Sequence, residues 1–418
     1  MEKIKIIYNI TLIANIKDAH WARSGVFFAA ANILRELGRR DDVELVLYYE
    51  TDNKELASKN IKYWCEKECE NIVHFTKLGL KTRLKNALKK LLGKRATALA
   101  KRFLLKKSLK KAENLAQSVP SKEIKNNVFY LSAAYEFNNI FMHDPNITKF
   151  AIGYDVMPLM FPQYYPGGEG WKDVFACFDN YFAISNSAKK DYLRFLPHLK
   201  PENIIVTPLA CDERFKPENS AAITAAKEKY KIPENKKYIF SLCTLEPRKN
   251  LIRAVKCFAS FIRKNNIDDL VFVLGGAHWD RFISILESEI ENLNELKDKI
   301  LKIGYVDDAD QAALYSGALF FVYTSQYEGF GLPPLEAMSC GTPVITSNNS
   351  SLPEVVGDAG IMIDYDDDEA HIKAYEDYYF NEELRKENSK KGLEQAKKFS
   401  WEKCADIMVT EMKRRVNG

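Results

Sequence analysis

The sequence predicts an α/β protein built from two doubly wound, Rossmann-like domains, and three observations point there. The chain has 418 residues, more than one ordinary core holds. Its amino terminus reads as strand, glycine loop, helix and strand, a nucleotide-binding type of opening. The same strand, glycine loop and helix return at Leu319–Cys340.

The first strand is Ile4–Ile10, whose apolar run is short and interrupted by Lys5, so it reads as a strand and not as a signal peptide. A loop over Asn15–Ser24 ends at Gly25-Val26. Phe27–Gly38 then alternates like a helix, and Val43–Tyr49 is the next strand. A lone Gly25 suits either a close approach to a nucleotide or a simple tight turn. Apolar residues make up 46% of the chain, as in a globular protein, and no segment approaches the roughly 20 apolar residues of a membrane span. The eight cysteines include no Cys-x-x-Cys pair, which predicts free thiols and not disulfides or zinc.

Lys77–Lys111 stands apart, with fourteen Lys and Arg and no Asp or Glu, in a chain whose net charge is only +4. Leu84, Leu88, Leu91 and Leu92 recur at helical spacing, and Leu99, Phe103 and Leu104 extend the stripe. This predicts a basic amphipathic helix or helix pair. Aromatic residues are nearly absent, which argues against stacking on nucleic acid. An anionic membrane surface is the expected partner, with a solvated face as the plain alternative.

Val128–Leu131, Lys149–Ile152 and Tyr181–Ile184 read as further strands of the first domain, and the polar stretch from Thr207 to Lys237 as a linker. Tyr238–Cys243 opens the second domain, followed by strands at Val271–Leu274 and Ile300–Tyr305. Between Cys243 and a helix starting at Leu251 lie Arg248 and Lys249, two adjacent cations that suit a diphosphate or form a surface charge cluster.

The stretch Ser325–Met338 organises the rest. The apolar run Leu319–Tyr323 reads as a buried parallel strand. Gly329 and Gly331 let the backbone turn, and Pro333-Pro334 sits where a helix starts. The amides of Phe330, Gly331 and Leu332 would then point from the positive helix end toward an anion such as a phosphate. Glu328 and Glu336 flank the loop, with Glu336 expected in the helix's first turn. A carboxylate matches a vicinal diol on a ribose or sugar ring. From the residues alone, a dipole-stabilising first-turn glutamate and an exposed loop glutamate explain the pair equally well.

Glu328–Met338 followed by Cys340–Ile345 resembles the signature of the retaining glycosyltransferases of family four, and the likeness continues through Ser347–Val355 and Gly357–Gly360. The resemblance is dense over the carboxyl half and thinner before it. It implies the GT-B fold, two Rossmann-like domains facing a cleft, with a last helix, announced by Phe399-Ser400-Trp401-Glu402, that crosses back to the first. The expected division is 1–212 on the acceptor side, 213–395 for the nucleotide sugar, and 396–418 returning.

What the resemblance implies chemically is transfer of a hexose from a nucleoside diphosphate sugar to a hydroxyl with retention, without metal or other cofactor. The leaving phosphate oxygen would help deprotonate the acceptor in a front-face displacement. Arg248, Lys249 and the amides at Gly331 and Leu332 would hold the diphosphate, with Phe330 in the same donor loop. Glu328 would hold donor-sugar hydroxyls and Glu336 the ribose, and Tyr305 and Val306 would frame the base, largely through backbone. Gly153–Pro162 resembles the family's His-Asp-x-x-Pro segment, which makes Asp155 a catalytic candidate. Tyr154 stands where many relatives carry His, so its hydroxyl, or His143, would take that role. Gly25 would approach the donor phosphate or the acceptor. Ser185–Lys189 resembles the family's serine loop, with helix capping by Ser187 as the simpler reading. Asp364 and Asp366 have the Asp-x-Asp spacing that binds manganese in other glycosyltransferases; here they read as a solvated loop.

The segment Leu245–Asn250 suggests GDP-mannose as donor, and the basic segment Lys77–Lys111 a lipid-linked glycan as acceptor, in bacterial surface polysaccharide or lipopolysaccharide assembly. The expected place is cytoplasmic, peripheral on the inner face of the plasma membrane. A UDP-hexose enzyme with a soluble or protein acceptor is the alternative. A non-catalytic sugar-nucleotide sensor is the alternative of another class, and the intact charges argue against it.

Overall fold

The computed structural model describes residues 3–16, 25–51, 53–65, 75–78, 127–134, 140–165, 170–277 and 280–417. The basic stretch 77–111 lies outside the described residues except for Lys77 and Leu78, as does most of the loop 15–24. The chain divides into two compact units. The first holds Met1–Phe182, Tyr192–Ile205 and Ala405–Gly418, and the second Ala183–Asp191 and Val206–Cys404.

The first unit carries a seven-stranded sheet of β1 (Ile4–Asn9), β2 (Val43–Thr51), β3 (Phe75–Leu78), β4 (Val128–Ser132), β5 (Thr148–Gly153), β6 (Asn180–Ala183) and β7 (Ile204–Val206), in the order β3-β2-β1-β4-β5-β6-β7. β1 pairs parallel with both β2 and β4, so the chain winds outward from it in two directions. The helix expected from Phe27 begins at Gly25 and runs to Gly38. Its buried face, from Phe27 to Leu37, covers the sheet, and the Tyr8 hydroxyl donates to Ala30 O at 3.0 Å. The last helix, Trp401–Asn417, belongs to this unit from Ala405 on. Lys413 Nζ lies 2.7 Å from Asp42 Oδ2, Arg40 pairs with Asp406, and Arg415 Nη2 donates to Asn203 Oδ1 at 3.1 Å.

The second unit carries a six-stranded sheet of β8 (Lys237–Leu242), β9 (Leu270–Gly275), β10 (Ile300–Gly304), β11 (Phe321–Tyr323), β12 (Val344–Ser347) and β13 (Gly360–Ile363), in the order β10-β9-β8-β11-β12-β13. Every residue of β9 is buried, which is why Leu270–Leu274 is a continuous apolar run: helices cover both faces of a parallel sheet. Phe240, Tyr315 and Phe321 form an edge-to-face aromatic cluster, with centroids 5.2 to 6.0 Å apart. β11 is shorter than the apolar run that predicts it, though Leu319 N still donates to Tyr238 O at 2.8 Å. Asp367 caps the helix Asp368–Phe380 by accepting from Ala370 N, so Asp364–Asp367 is a connecting turn.

Candidate active site

Two loops at the carboxyl ends of neighbouring strands build the site in the second unit. After β8, the chain makes a 3-10 turn over Pro247–Lys249 and enters the helix Leu251–Asn265. The junction is Asn250, at φ +59°, a conformation Asn tolerates better than most residues. Its side chain donates to Tyr365 O at 2.6 Å. The turn places Arg248 and Lys249 inward, only 5% and 8% exposed, whereas cations are almost never buried unless paired.

After β11, the second loop brings the partners. Glu328 Oε1 lies 2.8 Å from Arg248 Nη1 and 2.7 Å from Lys249 Nζ. Arg248 also donates through Nη1 to Tyr327 O and through Nη2 to Glu246 Oε1, both at 2.5 Å. Lys249 Nζ donates to the Tyr323 hydroxyl at 2.6 Å and sits 4.9 Å from that ring's centroid. The sequence offered the cations as open to a diphosphate; the structure shows them already bound to internal carboxylates. Burial works against the charge on Glu328, but Arg248 and Lys249 outweigh it and hold the carboxyl down at about 2.

The loop itself is held from below. Asn349 Nδ2 donates to Gln326 O at 2.9 Å, and Ser350 Oγ accepts from Glu328 N at 2.9 Å. Ser351 Oγ reaches both Glu328 O at 2.9 Å and Phe330 O at 2.6 Å, and Ser185 Oγ donates to Gly329 O at 2.7 Å. These bonds fix the peptide planes of the loop. Of the two loop glycines only Gly331 takes a positive φ, +118°; a Cβ there would stand 2.9 Å from Leu352 Cδ2. Helix Leu332–Ser339 follows, and its first-turn amides have no partner in the helix itself, as at any helix start.

Glu336 sits in the second turn of this helix, not the first, because the helix already starts at Leu332, ahead of the prolines. A role for Glu336 in stabilising the helix start is thereby removed. Its Oε2 accepts from the Tyr315 hydroxyl at 2.9 Å. Burial pushes its carboxyl up to about 7, against the lowering effect of Tyr315 and Arg214 and with help from Asp212 and Asp308. Beside it lies the segment after β10. Val306 is buried, its carbonyl accepts from Gln311 Nε2 at 3.5 Å, and the Tyr305 hydroxyl donates to Asp308 Oδ1 at 3.4 Å.

The candidates of the first unit form their own cluster. Gly25 is the exposed first residue of its helix. The Tyr154 hydroxyl donates to Val26 O at 3.4 Å, which draws Tyr154 to that helix start. Asp155 Oδ1 accepts from Met157 N at 3.0 Å, and its carbonyl accepts from the Tyr192 hydroxyl at 3.4 Å. The side chain of His143, the alternative to Tyr154, lies outside the described residues.

Glu246, Tyr323, Tyr315 and the Asn349–Ser351 hydroxyl and amide groups are the site residues that sequence reasoning did not assign. Glu246 was visible only as a neighbour of the basic pair, and Tyr323 only as one apolar residue of a strand. Among the described residues, no group of three or more His, Cys, Asp and Glu is placed to hold a metal ion.

Residues 222–395 match the family model of glycosyl transferases group 1. The chain is 34% identical over 230 residues to an O-antigen chain mannosyltransferase B of Escherichia coli, covering 55% of this chain and 59% of that one. It is 30% identical over 268 residues to the serotype-specific mannosyltransferase WbdA of Escherichia coli, covering 61% and 32%. The chain thus spans less than two thirds of the first relative's length and about a third of the second's. A glycosyltransferase structure from Rickettsia africae superposes over 100% of both chains with a TM-score of 0.69 at 16% identity, a likeness of fold. Residues 222–395 are thus similar to the glycosyl transferases group 1 family, and the chain shares its fold with a solved glycosyltransferase.

Proposed function

We propose that this chain is a retaining glycosyltransferase that moves a hexose from a nucleoside diphosphate sugar to a hydroxyl of a glycan, with no metal needed. The observation that carries the reading is the buried junction of Arg248, Lys249 and Glu328, directly before a glycine loop and a helix start. In this reading the two cations and the amides of Gly331 and Leu332 meet the diphosphate, where charge develops as the glycosidic bond breaks. Glu328 turns to the donor sugar's hydroxyls, and Glu336 takes the ribose hydroxyls. Tyr305 and Val306 frame the base, and Gly25, Tyr154 and Asp155 serve from the first unit.

Mannose from GDP-mannose is the donor we name, since the relatives are called mannosyltransferases. We place the acceptor among lipid-linked glycans of bacterial surface polysaccharide assembly, since a relative is named for the O-antigen chain and the 77–111 segment suits an anionic membrane. In this reading the protein works in the cytoplasm, peripheral on the membrane's inner face. No helix among the described residues is long and apolar enough to cross a membrane.

The test is a panel of GDP-mannose, UDP-glucose and UDP-N-acetylglucosamine, with transfer and donor hydrolysis read in excess EDTA. GDP-mannose turnover that persists in EDTA is the expected result. Preference for a UDP-hexose would overturn the donor, and rescue of an inactive protein by manganese alone would overturn the metal-free reading. Binding with neither transfer nor hydrolysis would leave the chain a sensor.

A further inference from the structure

Glu246 is a buried carboxylate, 4% exposed, to which the mechanism assigns no task. It stands just before the 3-10 turn, in extended conformation, and its side chain makes no capping bond there. The turn closes through backbone alone: Lys249 N donates to Glu246 O and Asn250 N to Pro247 O, both at 3.1 Å. Nor is Glu246 needed to aim Arg248, whose Nη1 is already held by Tyr327 O and Glu328 Oε1. Burying a carboxylate is costly unless its charge is used. Its one salt-bridge partner among the described residues is Arg248 Nη2, at 2.5 Å.

The charges decide the matter. Arg248 and Lys249 carry two positive charges, and Glu246 and Glu328 two negative ones. In the proposed reading Glu328 turns to the sugar, whereas Glu246, with no substrate group assigned to it, stays paired with Arg248 Nη2. A diphosphate therefore meets about one uncompensated positive charge, not two.

We propose that Glu246 is an internal counter-ion that weakens the site's hold on the nucleoside diphosphate, so that this product leaves after transfer. The charge of Glu246 acts on the whole diphosphate site without touching substrate, and the proposal rests on Arg248 and Lys249 being that site. Keeping product affinity low favours turnover, because product release limits the rate of many enzymes.

The experiment titrates GDP and UDP by calorimetry at fixed salt and pH. Glu246→Gln keeps an acceptor for Arg248 but removes the charge. It should bind its diphosphate about tenfold more tightly, the order expected of one unit charge at this range, with lower kcat and lower donor KM. Glu246→Asp, which keeps the charge, should bind within about twofold of the unchanged protein. A merely structural role predicts weaker binding in the Gln variant; unchanged or weaker binding overturns the proposal. If Glu246→Gln does not fold, Glu246→Gln/Arg248→Gln is compared with Arg248→Gln, where the double variant should bind more tightly by a similar factor. Equal or weaker binding there also overturns it. Arg248→Ala separates the two readings: undiminished GDP and UDP binding strikes the diphosphate site itself, whereas loss there without a gain in Glu246→Gln strikes only the counter-ion.

Discussion

Lys249 Nζ lies 2.7 Å from Glu328 Oε1, although 79 positions separate the two residues in the chain. Both are buried, and Arg248 shares the same carboxylate oxygen. Two cations converge on one anion beside the helix start that suits a phosphate. Lys249→Ala and Arg248→Ala should each lower turnover by about 10²-fold or more, since losing one stabiliser of a developing charge costs about 3 kcal/mol. Each should also lower the melting temperature, because Arg248→Ala leaves buried Glu246 without its salt-bridge partner and Lys249→Ala leaves buried Glu328 with one cation in place of two. Steady-state kinetics on folded variants decide this, and near-normal turnover in both would refute the assignment.

The two glutamates should separate. Glu328→Gln should hurt sugar transfer more than binding of GDP, which lacks the sugar, whereas Glu336→Gln should weaken donor and GDP alike. Equal loss of GDP affinity in both variants would contradict these roles.

Glu336 should also show in the pH dependence. Its folded value, about 7, is above the ordinary 4.5, so its neutral form favours the folded state. The stability it contributes is whole below pH 4.5 and is lost as pH rises through about 7. Glu336→Gln should flatten the denaturant midpoint over that window. If the ionised form holds the ribose, GDP affinity should rise with pH from about 6 to 8 in the unchanged protein and stay level in the Gln variant. Glu328 behaves oppositely. Its stabilisation is present above pH 4.5 and is lost as pH falls toward 2. An unaltered midpoint profile in Glu336→Gln would show that this carboxyl does not titrate near neutrality.

Gly331→Ala should cost about 1–3 kcal/mol, because φ +118° is strained for any side chain and the new methyl meets Leu352 Cδ2. The loop amides would move with it, so donor affinity should fall alongside thermal stability. Normal values for both would mean that the loop relaxes without consequence.

Vesicle binding tests the basic segment. Each cation near an anionic surface contributes about 1 kcal/mol, screened over about 10 Å in salt. The protein should bind vesicles containing anionic lipid, not neutral ones, and come off in high salt. Replacing Lys89, Lys90, Lys94 and Arg95 with Glu should abolish this and leave GDP binding intact. Equal binding to neutral vesicles, or none to either, would return the stretch to a solvated face.

The sequence by itself determined what is local. Apolar runs such as Leu270–Leu274 set the parallel strands, and the stretch Gly329–Pro334 set a glycine loop opening a helix, because strand and helix periodicity depend on near neighbours. It also displayed Arg248, Lys249, Glu328 and Glu336 as the charges worth following. Tertiary structure alone decided which partners each charge meets. Pairing Lys249 with Glu328 requires β8 and β11 to lie side by side, an adjacency that no pattern along the chain encodes. The same adjacency turned Tyr323 from a strand residue into an acceptor for Lys249, and the turn after β8 buried Glu246 against Arg248 Nη2. Glu336, eight residues from Glu328 and alike in composition, is shifted the opposite way, up to about 7, because its burial is not outweighed by two adjacent cations as it is at Glu328. Ionisation is set by dielectric and by partners a few ångströms away, and the fold supplies both.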